Sequence, residues 1–210
     1  MTRLARAERA ALCDLSLQLG EDQPTLCDGW TVKDLVVHLL VRERSLAAIG
    51  ILVPAAAPLT ALASRRLARR PFAELVETLR GGPPPWSPMA LPRVDDLANT
   101  LEFFVHLEDV RRAQPGWAPR ALDDDAERRL WSALRVGGRA PVRGSKVGLV
   151  VESSATGSTA VLAKGTPSVT VRGLPSELAM FAFGRTGHAD VEVLGDPDAV
   201  ARLDGAVLGL

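Results

Sequence analysis

Hydrophobic residues recur at two different periods along the chain, and the change of period divides the chain in two. Up to Gly137, apolar positions return every three or four residues, which predicts helices at 3–19, 31–48, 60–70, 71–79, 94–113 and 123–136. Beyond it, β-branched runs predict strands at 147–153, 158–164, 168–173 and 189–194, with helices at 174–184 and 196–208. The sequence therefore predicts an all-α domain at 1–138, followed by a small α+β domain with a mostly antiparallel sheet at 146–210.

The helix predicted at 94–113 carries ionisable side chains between apolar flanks. Glu102 and His106 are four residues apart, so they project from one face about one turn apart, and Asp109 follows on the same side. Burying such a pair is costly unless another group pairs with it. Glu-x-x-x-His on a helix is a natural two-ligand unit for a divalent metal, and a buried hydrogen-bonded pair without metal is the alternative.

A metal site needs a third ligand, and the sequence has only three histidines. His38 lies on the helix predicted at 31–48, and in a helical bundle it can face Glu102 and His106. Two histidines and one glutamate would leave a coordination position for water, as in catalytic zinc sites. The polar residues around His38 also fit a solvated histidine, so both interpretations stand. His188 is interpreted as a turn residue.

Composition and charge restrict the classes of protein. Lys+Arg and Asp+Glu both number 25, so the net charge of +0 argues against a nucleic-acid-binding protein. The sequence has no apolar run of 18 residues, and its N-terminus lacks the apolar core of a secretory signal. Its two cysteines, Cys13 and Cys27, fit a reducing compartment, and both are interpreted as structural. We therefore expect a cytoplasmic protein with no nucleic-acid or membrane partner.

Three segments resemble one known family. The segment CDGWTVKDLVVHLLVRE resembles the Gly-Trp-Thr-Val-x-Asp-Leu-x-x-His-Leu segment of the DinB-like superfamily, specifically of the mycothiol-dependent maleylpyruvate isomerase N-terminal domain. LEFFVHLEDVRRA resembles the later Glu-x-x-x-His helix of that family, and GLPSELAMFAFGR resembles its small α+β domain. Within the family, the chain is most similar to actinobacterial metal-binding proteins of unassigned function, through Thr25–Thr31, Arg42–Arg44 and His106–Arg112.

The resemblance implies a DinB-type four-helix bundle with a divalent metal, usually zinc, held by His38, Glu102 and His106. In the family, the open position on the metal takes water or the thiolate of a low-molecular-weight thiol, and the activities are thiol-dependent isomerisation and S-transfer. It also implies a basic residue from the α+β domain at the active cleft, for which Arg185 and Arg172 are the candidates. The expected cofactors are thus a divalent metal, with zinc favoured, and mycothiol as cosubstrate.

These implications lead to one leading function and two alternatives. The leading one is an isomerase or S-transferase, a monomer or homodimer, in which a metal-activated thiol attacks a small electrophile. In it, Asp34 or Asp109 would lie behind the metal ligands, and Arg42 would neutralise a carboxylate of the thiol or substrate. The first alternative is a metal-dependent hydrolase that uses bound water. The second is a non-catalytic metal- or ligand-binding protein in which Cys27 or Asp109 closes the fourth position.

Overall fold

The chain forms two compact units, which divide between Trp117 and Ala118. The computed structural model describes residues 3–45, 57–87, 90 and 99–209. This division comes earlier in the chain than the boundary expected at 138–146, because the helix Asp124–Gly137 packs within the second unit. None of the helices in the described ranges is long and apolar enough to span a membrane.

The described part of the first unit is helical. Its helices are α1 (Arg3–Leu19), α2 (Val32–Arg44), α3 (Ala57–Leu67), α4 (Phe72–Arg80) and α5 (Thr100–Arg112). Helix α1 packs against α4 and α5, and α2 packs against α3 and α4. The prediction that α2 runs on towards residue 48 is wrong at Ser45, whose backbone is extended and ends the helix at Arg44. The start of α5 predicted near residue 94 lies outside the described residues.

Helix α2 is buried on most of its circumference, and this places the polar side chains that it carries. Seven of its apolar residues are at most 4% exposed: Val32, Leu35, Val36, Val37, Leu39, Leu40 and Val41. After the first turn, its partly exposed residues are His38, Arg42 and Arg44. Because His38 and Arg42 are four residues apart, they share one face of α2. The burial pattern therefore leaves a narrow polar strip on an otherwise apolar helix.

The start of α2 is set by a capping box. The Thr31 hydroxyl accepts a hydrogen bond from Asp34 N at 3.3 Å, and the Asp34 carboxylate accepts one from Thr31 N at 3.0 Å. We expect Thr31→Ala to lower the free energy of unfolding by about 1 kcal/mol, because a helix N–H loses its acceptor. Urea denaturation would measure the loss. Thr31→Ser keeps the oxygen and should remain near wild type; an equal loss in both variants would contradict the prediction.

The second unit contains α6 (Asp124–Gly137), α7 (Pro175–Ala182), α8 (Pro197–Asp204) and a four-stranded sheet. Its strands are β1 (Gly148–Ser153), β2 (Thr159–Ala163), β3 (Ser168–Gly173) and β4 (Val191–Leu194), in the order β2-β1-β3-β4. The outer pairs are antiparallel, but the central strands β1 and β3 are parallel. The predicted mostly antiparallel sheet is therefore wrong, and the sheet is mixed. Alternation of apolar residues identifies strands, whereas the pairing direction depends on whether β3 lies beside β2 or beside the free edge of β1.

A carboxylate explains why α6 belongs to the second unit. Glu127 on α6 accepts hydrogen bonds from Ser176 N at 3.0 Å and from the Ser176 hydroxyl at 2.8 Å. Ser176 lies in the first turn of α7, where backbone N–H groups lack partners inside the helix. The Glu127 side chain supplies one such partner, and it fastens α6 to the helix that packs against β1, β3 and β4.

Candidate metal centre

Helices α2 and α5 bring the three predicted ligands together. Glu102 Oε1 lies 3.5 Å from His38 Nε2 and 3.3 Å from His106 Nε2. One ligand atom from each of the three residues lies within 4.8 Å of the others. Ligands of a tetrahedral ion with zinc-like bond lengths are separated by roughly 3.3–3.5 Å, whereas good N–H···O hydrogen bonds are about 2.7–3.2 Å long. The two separations from Glu102 Oε1 therefore suit ligands of a divalent ion, and in its absence the same contacts are long hydrogen bonds.

Asp109 fixes the orientation and the tautomer of His106. Its Oδ2 lies 2.9 Å from His106 Nδ1, and the Asp109 side chain is completely buried. An ionised carboxylate only accepts hydrogen bonds, so Nδ1 carries the proton. When the imidazole is neutral, its lone pair is therefore on Nε2, the nitrogen that faces Glu102. Such a carboxylate–histidine contact is the usual support of a metal-binding imidazole, and the role of Asp109 behind a metal ligand stays a prediction.

Arg42 makes an ion pair with the predicted ligand Glu102. Arg42 Nε lies 3.3 Å from Glu102 Oε1, and Arg42 Nη1 donates to Asn99 Oδ1 at 2.7 Å. The expectation was that Arg42 would meet a carboxylate of the thiol or substrate, whereas the structure shows its charge engaged by the protein's own carboxylate. Sequence reasoning did not single out Asn99. Its place three residues before Glu102 on the same helix was the available signal.

The electrostatics of the cluster favour ionised Glu102 in the metal-free protein. Burial alone would raise the pKa of Glu102, but the charge of Arg42 and hydrogen bonds from His106 and His38 hold it well below its usual range. Burial alone would lower the pKa of His106, but its hydrogen bonds to Asp109, Cys27 and Glu102 and the charge of Glu102 raise it well above its usual range. Without metal, the two residues therefore form an ion pair.

This ion pair predicts a pH dependence for the chelated protein. The His106 contribution to stability is fully present below its ordinary pKa of 6.5 and is lost as the pH rises through its raised pKa. The Glu102 contribution is present above its ordinary pKa of 4.5 and is lost as the pH falls through its lowered pKa. We expect urea denaturation in chelator to show stability falling above pH 6.5, relative to His106→Gln. Equal pH profiles for the two proteins would contradict this.

The loop before α2 places Cys27 beside the cluster. Cys27 Sγ donates to Asp109 Oδ2 at 3.3 Å, and the neighbouring Leu26 N donates to the Asp109 carbonyl oxygen at 3.0 Å. The interpretation of Cys27 as structural did not include this position, whereas the alternative of a closed metal site did place Cys27 near the ligands. In the part of the chain that the structure describes, Cys27, His106 and Asp109 form a second group of potential metal ligands. The two groups share His106.

Trp30 flanks the ligands on the solvent side. Its ring centroid lies 5.1 Å from that of His38, with the planes tilted by 50°, and 37% of Trp30 is exposed. Sequence reasoning used Trp30 only as part of the family segment. Trp30 directly precedes Thr31, which caps the helix that carries His38. This position was the signal from which a place near the site could have been predicted.

Two other predicted residues have different surroundings. Asp34 is exposed, and its hydrogen bonds named above join it to Thr31 in the capping box. Arg185 belongs to the second unit, where its guanidinium donates to the Phe183 carbonyl oxygen. The structure thus brings together His38, Glu102, His106, Asp109 and Arg42 among the predicted site residues.

Comparisons with known proteins agree with this picture at the level of the fold. No protein-family model and no curated protein matches the sequence. Among solved structures, the crystal structure of the mycothiol-dependent maleylpyruvate isomerase is similar, with a TM-score of 0.58 and 18% sequence identity over 90% of each chain. This chain has the fold of that isomerase. A histidine-to-alanine mutant of the isomerase is similar too, with a TM-score of 0.56 and 16% identity over 90% of each chain.

The structural likeness spans 90% of the chain at low sequence identity. The segments from which the sequence resemblance was inferred lie around His38, around His106 and from Gly173 onwards. The resemblance to the isomerase family that these sequence segments predicted is confirmed by the fold.

Proposed function

We propose that the protein binds a divalent metal, with zinc favoured, through His38, Glu102 and His106, and that it is a thiol-dependent isomerase or S-transferase acting on a small electrophile. The observation that carries the proposal is the placement of three potential ligand atoms within 4.8 Å of one another, with the two separations from Glu102 Oε1, 3.5 and 3.3 Å, suited to a tetrahedral ion. We further propose that α1, α2, α4 and α5 correspond to the four helices of a DinB-type bundle. Mycothiol, named in the structural neighbours, is the proposed cosubstrate.

The charges around the ligands favour an anionic fourth partner. A divalent ion would bring two positive charges, and Arg42 contributes a third. Glu102 and Asp109 supply two negative charges, and two neutral histidines supply none. One positive charge then remains, which a thiolate would neutralise. When bound, the ion would favour the thiolate over the thiol and would act as a Lewis acid.

The chain's own residues would hold this centre in one arrangement. Arg42 keeps Glu102 ionised and is itself oriented by Asn99. Asp109 keeps the proton of His106 on Nδ1, so that Nε2 is available as a ligand. His38 is 20% exposed, so one side of the cluster is open to a small ligand.

A thiol-dependence experiment tests the function. Zinc-loaded protein is incubated with mycothiol and maleylpyruvate, the molecules in the name of the structural neighbours, and loss of maleylpyruvate is followed. We expect loss only when thiol is present, and none in the His38→Ala variant. Binding of mycothiol is measured separately on cobalt-loaded Cys27→Ser protein through a sulfur-to-cobalt charge-transfer band. Absence of that band would contradict a thiol-binding metal centre whatever the electrophile is.

The two alternatives predict different results in the same experiment. A hydrolase that uses bound water would turn over its substrate without added thiol. A non-catalytic protein with a closed metal site is favoured by one specific observation, the position of Cys27 Sγ 3.3 Å from Asp109 Oδ2. If Cys27 completed the coordination, wild-type cobalt protein would show the charge-transfer band without mycothiol, and adding mycothiol would not change it.

A further inference from the structure

The two ring nitrogens of His106 face two different sets of potential metal ligands. On the Nε2 side lie Glu102, at 3.3 Å, and His38. On the Nδ1 side lies Asp109 Oδ2, at 2.9 Å, which Cys27 Sγ also contacts at 3.3 Å. The ligand atoms of Cys27, His106 and Asp109 lie within 4.8 Å of one another, as those of the first set do.

The backbone around Cys27 holds its thiol in this place. Leu26 N donates to the Asp109 carbonyl oxygen at 3.0 Å, which ties the loop to α5. Cys27 N donates to Thr25 Oγ1 at 3.2 Å, and the Cys27 carbonyl oxygen accepts from Trp30 N at 2.9 Å. Cys27 therefore reaches Asp109 because of the loop conformation as well as the rotamer of its side chain. Cys27 is partly exposed, whereas the side chains of His106 and Asp109 are 12% and 0% exposed, so an ion would reach the position from the side of Cys27.

We propose that Cys27, Asp109 and His106 Nδ1 form a second cation position, which takes a thiophilic divalent ion such as Cd²⁺. One sulfur, one imidazole nitrogen and one carboxylate oxygen suit such an ion, because thiolate selects soft metals. The thiolate and the carboxylate would together neutralise its two positive charges. The separations of 2.9 and 3.3 Å are hydrogen-bond lengths. With one sulfur among them, ligands of a zinc-sized tetrahedral ion are about 3.3–3.6 Å apart, and those of the larger Cd²⁺ are farther apart, so binding replaces these hydrogen bonds and moves the ligands outward by up to roughly 1 Å.

The two positions compete for His106. A neutral imidazole has one lone pair and one N–H. An ion on Nδ1 therefore requires the proton on Nε2, where it would point towards Glu102 Oε1, and His106 would no longer be available to the first set. Filling the Cys27 position should thus release an ion from His38 and Glu102.

Cadmium titration of the full chain, freed of metal by a chelator, tests the proposal. We expect one equivalent of Cd²⁺ to produce a sulfur-to-cadmium charge-transfer absorption in wild type and none in Cys27→Ser. Serine keeps a hydroxyl donor for Asp109, and circular dichroism checks its fold. The band should persist in His38→Ala, because the second set does not use His38. It should also persist in Cys13→Ala, since the only other cysteine of the sequence is buried in the core and burial raises its pKa to about 11.

Each other outcome overturns the proposal. No band in wild type, or a band that remains in Cys27→Ser, would mean that Cys27 is not a ligand. Loss of the band in His38→Ala would make Cys27 a fourth ligand of the first ion. In zinc-loaded protein, a chromophoric chelator should detect one zinc released for each cadmium bound, and cadmium binding without zinc release would refute competition. Failure of the proposed function has a separate signature: zinc binding would be unaffected by His38→Ala.

Discussion

His106→Ala should purify without stoichiometric zinc, and its zinc affinity should fall by more than about 100-fold relative to wild type. His106 supplies Nε2 to the first ligand set, 3.3 Å from Glu102 Oε1, and it connects that set to Asp109. Mutation of a residue that only supports a ligand typically costs 10–100-fold in metal affinity, and removal of a ligand should cost more. Elemental analysis of the purified protein and competition with a chromophoric chelator would measure the two effects.

The matched control is His188→Ala. His188 is the histidine of the sequence outside the cluster, in the short 3-10 helix Thr186–His188 of the second unit. It should keep wild-type zinc content. His106→Ala also leaves the buried Asp109 carboxylate without its imidazole partner, so His38→Ala serves as a second ligand variant that does not disturb Asp109. Wild-type zinc affinity in both ligand variants would refute the ligand assignment.

Glu43→Ala should lower the free energy of unfolding by about 3–5 kcal/mol. The Glu43 carboxylate accepts two hydrogen bonds from Arg9, at 2.8 Å from Nη1 and 2.5 Å from Nη2. Both side chains are at most 3% exposed. Arg9 Nη1 also donates to the Leu79 carbonyl oxygen at 2.9 Å, and the guanidinium lies 4.1 Å from the centre of the Phe103 ring. Removing the carboxylate would leave the guanidinium charge buried and uncompensated, and urea denaturation would measure the cost.

An exposed ion pair provides the control. Arg80 Nη1 lies 2.9 Å from Asp14 Oδ1, and the Asp14 side chain is 71% exposed. Because water solvates both charges there, Asp14→Ala should cost less than about 1 kcal/mol. The double variant Arg9→Met/Glu43→Leu removes both buried charges together and should recover most of the stability lost in Glu43→Ala. A similar loss in Glu43→Ala and Asp14→Ala would show that burial does not determine the cost.

Local patterns in the sequence predicted the helices and those residues of the candidate site that lie together on one helix. The 3.6-residue period identified α1 with its observed bounds, Arg3–Leu19. Glu102, His106 and Asp109 were placed on one face of a helix from their spacing alone, and the structure shows contacts among them. Both inferences succeed because helical geometry relates neighbouring residues directly, whatever packs against the helix.

Contacts between segments that are distant in the sequence could not be predicted from residue spacing. His38 joined the candidate site only as a possible bundle partner, and the family resemblance strengthened that expectation. The ion pair of Arg42 with Glu102 was not predicted, and Cys27 was placed near the metal only in the alternative of a closed, non-catalytic site. Each of these depends on how α2 and the loop before it lie against α5, and periodicity contains no information about that packing.

The sequence by itself determined where the chain is helical, where it changes to strands, and that Glu102 and His106 share a helix face. The tertiary structure decided that His38 completes the three-donor cluster, that Arg42 pairs with Glu102, and that Cys27 lies beside Asp109. It also decided the parallel pairing of β1 with β3 and the membership of α6 in the second unit. The physical reason is that hydrophobic burial selects which faces are covered, while the packing of distant elements selects which polar groups meet.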